Sequence, residues 1–134
     1  LFLSEEFNDW TFVKTKDVTR SKSEYYDLLN KAKVAISFAD QETYGISMLE
    51  SVLCGCVPIV PDKLSYKELY PSEFKYPVEN PYGLVRNASI LLLQVLQNYE
   101  EYQQKHRFFV RKVQWNGEQA IFNILKICTE ICDE

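Results

Sequence analysis

The sequence predicts an α/β fold, a parallel sheet flanked by helices, on three observations. Val34 to Phe38 is an almost unbroken apolar run, as expected of a parallel strand covered on both faces. A polar loop with a glycine, Gln41 to Gly45, follows it, and a helix is expected to begin near Ile46. The turn Cys54-Gly55-Cys56 then leads into a second apolar run, Val57 to Val60. Strand, loop, helix, tight turn and strand in that order make a βαβ unit.

The remaining elements follow in chain order. Leu1-Phe2-Leu3 reads as the end of a strand, Ser4 to Asp9 as a loop, and Trp10 to Lys14 as a second strand candidate. Ser21 or Ser23 caps a helix running to about Ala32, with Tyr25, Tyr26, Leu28 and Leu29 as its apolar contacts. The Val57 to Val60 strand is expected beside Val34 to Phe38, with Pro58 at a strand start or an edge. Ser65 to Tyr70 is a short helix and Phe74 to Tyr76 a short strand. Asn80-Pro81 opens a helix that runs to about Gln97, with Asn as cap and Pro in the first turn. A more polar helix from Tyr99 to about Arg111 carries His106, the single histidine, on what reads as a solvated face. After a break at Gln114 to Gly117, a last helix to Cys132 has the apolar spacing of one lying against a sheet. Its Cys128 and Cys132 share a face with Ile121, Ile124, Leu125 and Ile131 and read as core.

Composition narrows the function classes. The chain has 134 residues, 46% of them hydrophobic, which suits one domain over 1–134 with an ordinary core. The longest apolar stretch, Ala88 to Leu96, is interrupted by Ser89 and Gln94, so no membrane span is expected, and with no signal peptide the expected location is cytoplasmic. A formal net charge of −4 argues against direct nucleic-acid binding by this domain. Cys54 and Cys56 flank one glycine, too close for the usual zinc spacing, and no histidine lies near them. All four cysteines are therefore expected to be reduced and structural, and no metal or cofactor is expected.

The candidate site lies at the predicted helix start. The first N–H groups of a helix have no internal partners, and the helix dipole favours an anion there. Amides around Gly45, Ile46 and Ser47 would face such an anion, and Gly45 lets a ligand approach the chain closely. Glu42 in the loop and Glu50 on the helix can face the same crevice. Ionised carboxylates accept hydrogen bonds and repel phosphate, so they suit hydroxyl-rich groups beside the anion. A nucleotide sugar has that layout.

At these residues the chain resembles the carboxyl-terminal, donor-binding domain of GT-B retaining glycosyltransferases, the glycosyl transferases group 1, with their Glu, seven residues, Glu motif. Glu42 and Glu50 occupy the two motif positions. The segments Asp62 to Pro71 and Glu24 to Leu29 are similar to the branch that contains the queuosine-tRNA mannosyltransferases. The resemblance covers roughly residues 10 to 132 and implies a Rossmann-like parallel sheet, one half of a GT-B fold that lacks its first strand-helix unit. It implies that Glu42 contacts donor-sugar hydroxyls as the catalytic position, that Glu50 contacts the ribose, and that amides near Gly45 and Ile46 hold the diphosphate. The donor contacts expected on this basis are Glu42, Tyr44, Gly45, Ile46, Ser47 and Glu50, with a nucleotide-sugar donor as substrate. The acceptor-binding amino-terminal domain would be missing from this chain, which alone would bind without turning over. Trp115 and the helix after it become either an interdomain contact or local packing. The alternative function is a non-catalytic nucleotide-binding or protein-interaction module on the same fold. A phosphoacceptor domain would need an acidic cluster at strand ends, and Asp40 alone makes a thin one.

Overall fold

A computed structural model describes residues 9–38, 45–79 and 83–132 and shows an α/β fold. Its elements are α1 (Thr15–Val18), α2 (Lys22–Lys31), β1 (Val34–Ile36), α3 (Ile46–Leu53), β2 (Val57–Pro61), α4 (Tyr66–Leu69), β3 (Lys75–Tyr76), α5 (Leu84–Gln97) and α6 (Tyr99–Cys132). The three strands form a parallel sheet in the order β1-β2-β3, with helices packed around it. The strand expected at Leu1 to Leu3, Asp40, and the Asn80-Pro81 helix start all lie outside the described residues.

The βαβ unit forms where the apolar runs place it. Val34 pairs with Val57 and Ile36 with Ile59, and Ser37 N–H extends the ladder by donating to Ile59 C=O at 2.9 Å. Every residue of β2 is buried, whereas β1 is only partly so. β2 is central and yet contains two prolines, with Pro58 one residue in from its start. The parallel ladder explains how it tolerates them. Val57 N–H and Ile59 C=O point to the β1 side, so the nitrogen of Pro58 points the other way, and β3 pairs only from Val60 onward. Pro61 is the next residue aimed at β1 and has no N–H for Ser37 C=O. The hydroxyl of the fully buried Tyr76 donates to that carbonyl instead, at 2.7 Å.

Of the two serines proposed as caps for α2, Ser21 is the one that acts: its Oγ accepts Glu24 N–H at 3.2 Å. At the other end of this helix the buried Cys56 thiol points its Sγ to the carbonyls of Leu29 and Ala32, at 3.3 and 3.5 Å. Burial pushes that thiol up to about 11, which makes Cys56 an inert packing group. Lys33, after the helix, places its ammonium over the rings of Trp10 and Tyr99.

Several expectations fail. Residues 11–14 are not a strand, and the short α1 follows them instead. Gln114 to Gly117 does not break the chain, because α6 runs unbroken for 34 residues, a length of about 51 Å at 1.5 Å per residue. A lone Gly117 costs about 1 kcal/mol in a helix, too little to end one that has no proline and strong formers on both sides. Nor does the distal part of α6 lie against the sheet. Residues 114–130 are exposed throughout, with Trp115 60%, Ile121 61% and Leu125 62% exposed. Cys128 is exposed rather than core.

His106 is the opposite correction, being buried instead of solvated. Tyr102, His106 and Phe109 form one buried stripe of α6, and the charged neighbours Lys105 and Arg107 lie to either side of it. Nε2 of His106 lies 2.8 Å from Val52 C=O, near the end of α3. A carbonyl only accepts, so the ring carries its proton on Nε2, and the bond ties α6 to α3 through a carbonyl that also accepts Gly55 N–H at 3.1 Å.

Candidate functional site

The start of α3 is built around Gly45, which caps the helix in the left-handed region at φ 75° and ψ 47°. A side chain there would be strained and would also collide, since a Cβ on Gly45 would meet Tyr66 Cε1 at 2.7 Å. Tyr66 is buried in the core, and its hydroxyl lies 3.4 Å from Ser37 Oγ just past the end of β1. The packed ring thus fixes the helix start beside the carboxyl end of the sheet, where open α/β sheets hold their ligands. The first donors to Gly45 C=O are Met48 and Leu49 N–H, each at 3.1 Å, which leaves the Ile46 and Ser47 amides ahead of the helical ladder. Ile46 and Ser47 are both exposed.

Glu50 stands one turn further on, on the face it shares with Ser47. That face turns toward the first turns of α2. The Tyr26 hydroxyl donates to Glu50 Oε1 at 2.8 Å, and Lys22 Nζ approaches the same oxygen at 3.3 Å. The Tyr25 hydroxyl reaches Ser47 C=O at 3.5 Å. The ammonium of Lys22 also sits over both tyrosine rings, 5.7 Å from that of Tyr25 and 5.4 Å from that of Tyr26.

These contacts set the charges. The Tyr26 hydrogen bond, followed by Lys22, holds the Glu50 carboxyl below its ordinary value, so it is ionised at neutral pH. The bond to Glu50 and its charge push Lys22 up, so the ammonium is retained. Tyr25 is pushed up mainly by burial and then by the charge of Glu50, which keeps its hydroxyl a donor. The facing turns of α2 and α3 therefore present a fixed carboxylate, an ammonium and helix-start amides. They can accept hydroxyl protons and hold an anion within one turn of helix.

Of the site residues expected from sequence, Gly45, Ile46, Ser47 and Glu50 are brought together on α3. Glu42 and Tyr44 lie outside the described residues. The sequence reading missed Lys22 and Tyr26 as members of the site. No local signal could have found them, because they reach Glu50 across 28 and 24 residues. A cavity of about 40 Å³ lined by Leu49, Leu69, Tyr70, Phe109 and Val113 is apolar and far too small for a nucleotide, whose sites run to roughly 300 Å³ or more. Among the described residues no group of three or more His, Cys, Asp or Glu side chains is placed to hold a metal ion.

No family model matches the chain, and no solved structure matches it. Over 59 residues it is 46% identical to the tRNA-queuosine alpha-mannosyltransferase of Drosophila melanogaster. The matched stretch covers 44% of this chain and 16% of the length of that protein. A partial similarity of this strength supports a relationship to glycosyltransferases.

Proposed function

We propose that this chain is the donor-binding part of a retaining glycosyltransferase of the GT-B, group 1 type, which moves a sugar from a nucleotide to a hydroxyl acceptor. The observation that carries the reading is the likeness to a mannosyltransferase in a chain whose α3 sets an ionised Glu50 one turn from the helix-start amides. In this reading Glu50 accepts the ribose hydroxyls and the amides of Gly45, Ile46 and Ser47 take the diphosphate, whose charge grows as the sugar leaves. Glu42 and Tyr44, which precede Gly45 in sequence, orient the donor sugar. No metal or other cofactor takes part. Acceptor binding belongs to an amino-terminal domain beyond this chain, and the exposed apolar side chains of distal α6, Trp115, Ile121 and Leu125 among them, offer that domain a surface to dock on. The setting is the cytoplasm, and this chain alone binds the donor without turnover.

Calorimetric titration of the chain with UDP, GDP, ADP and their common sugar conjugates tests the reading. One nucleotide family binds, and Glu50→Ala weakens it at least tenfold. Binding that Glu50→Ala leaves unchanged removes Glu50 from the site. Failure of the longer protein to bind any of these nucleotides favours instead a protein-interaction module on the same fold.

A further inference from the structure

We propose that Lys22 and Tyr26 are positioning residues of the nucleotide site, holding Glu50 by Oε1 so that its second oxygen faces the ligand hydroxyls. The inference rests on the donor-site reading above and extends it to a helix that carries none of the motif.

The geometry is more than an ordinary surface ion pair would show. Lys22 and Tyr26 occupy successive turns of α2, four residues apart and hence on one face. Both reach the same atom, Glu50 Oε1, at 3.3 and 2.8 Å. Lysine is a flexible cation, and here the tilted pair of Tyr25 and Tyr26 rings, with centroids 5.5 Å apart, gives its ammonium a seat. Tyr26 is a stiffer donor with two side-chain torsions, and a phenol to a carboxylate is a charge-assisted bond. An exposed ion pair adds little to stability, so the cluster does little for the fold. Lys22 is 74% exposed at its side chain, whereas Glu50 is 21% exposed. The Lys22 ammonium thus reaches from solvent to a carboxylate that is largely covered. Fixing one oxygen with two donors fixes the plane of the carboxyl group, and an oriented acceptor discriminates between ligand hydroxyls better than a free one.

The cluster also sets the acid limit of binding. The titratable groups that face Glu50 from α2 are Lys22, Tyr25 and Tyr26, and the next titratable residue along its own segment is Cys54, which caps α3. Tyr26 and Lys22 both favour the ionised carboxylate. Removing either donor raises the Glu50 value, so binding that needs the carboxylate is lost at a higher pH than in the wild type.

The test is titration of the intact protein with UDP, GDP and ADP between pH 4 and pH 8, for wild type, Tyr26→Phe, Lys22→Met and Lys22→Arg. Tyr26→Phe keeps the ring and Lys22→Arg keeps the charge. The expected result is that Tyr26→Phe and Lys22→Met weaken nucleotide binding by about three- to tenfold at neutral pH, one hydrogen bond's worth. The acid midpoint moves upward in both, Tyr26→Phe moves it more, and Lys22→Arg restores wild-type behaviour. Urea midpoints within error of wild type exclude loss of fold as the cause. Unchanged affinity and unchanged acid midpoint in both variants overturn the positioning role and leave the donor site standing. A wild-type protein that binds none of the three nucleotides overturns both readings.

Discussion

In α5, Ala88, Leu91, Leu92 and Val95 recur at helical spacing and all lie in the core. In distal α6, Ile121, Ile124, Leu125 and Cys128 recur at the same spacing and all are exposed. The two stripes have the same form and equally strong apolar residues. They differ in what faces them: α5 packs on β2 and β3, while distal α6 extends past the last residue that contacts the sheet. Periodicity tells which side of a helix is apolar and nothing about what covers it.

The same substitution in the two stripes tests the contrast most strongly. Leu92→Ala removes a side chain that is 2% exposed and should cost about 2–5 kcal/mol, read from urea unfolding midpoints. Gly45→Ala comes next. It forces a Cβ into the left-handed region and onto the Tyr66 ring, at a cost of about 2–3 kcal/mol, and displaces the helix start in the process. Tyr76→Phe should cost about 1 kcal/mol, since the 2.7 Å bond from its hydroxyl to Ser37 C=O is lost. The smallest effect belongs to Leu125→Ala, which should stay within about 0.5 kcal/mol in this chain. If Leu125→Ala cost as much as Leu92→Ala, distal α6 would have to be covered in solution, and the comparison would break.

The site shows the same division. Its α3 half was legible because its features are local: Gly45 supplies a left-handed residue, a helix follows at once, and Glu50 sits one turn in. Its α2 half was not legible, since Tyr26 and Lys22 meet Glu50 only through the packing of two helices. His106 was misread for a related reason. Its sequence neighbours Lys105 and Arg107 are charged, but on a helix the neighbours that matter are Tyr102 and Phe109, and its bond to Val52 C=O spans 54 residues. The expected break near Gly117 erred in the other direction, by treating weak helix formers as stops. Their cost is about 1 kcal/mol for each glycine, and a helix loses that much without ending.

The sequence by itself determined the βαβ order, a serine cap on α2 at Ser21 or Ser23, the short α4 and the glycine that starts α3. Each depends on torsions and hydrogen bonds within a few residues, which side-chain identity controls directly. Only the tertiary structure decided that a tyrosine hydroxyl fills the place of a proline N–H on Ser37, and that α2 supplies both donors to Glu50. It also decided that one apolar stripe is buried while its twin is bare. These outcomes depend on which surfaces meet across tens of residues, and burial is a property of the pair of surfaces rather than of either segment alone.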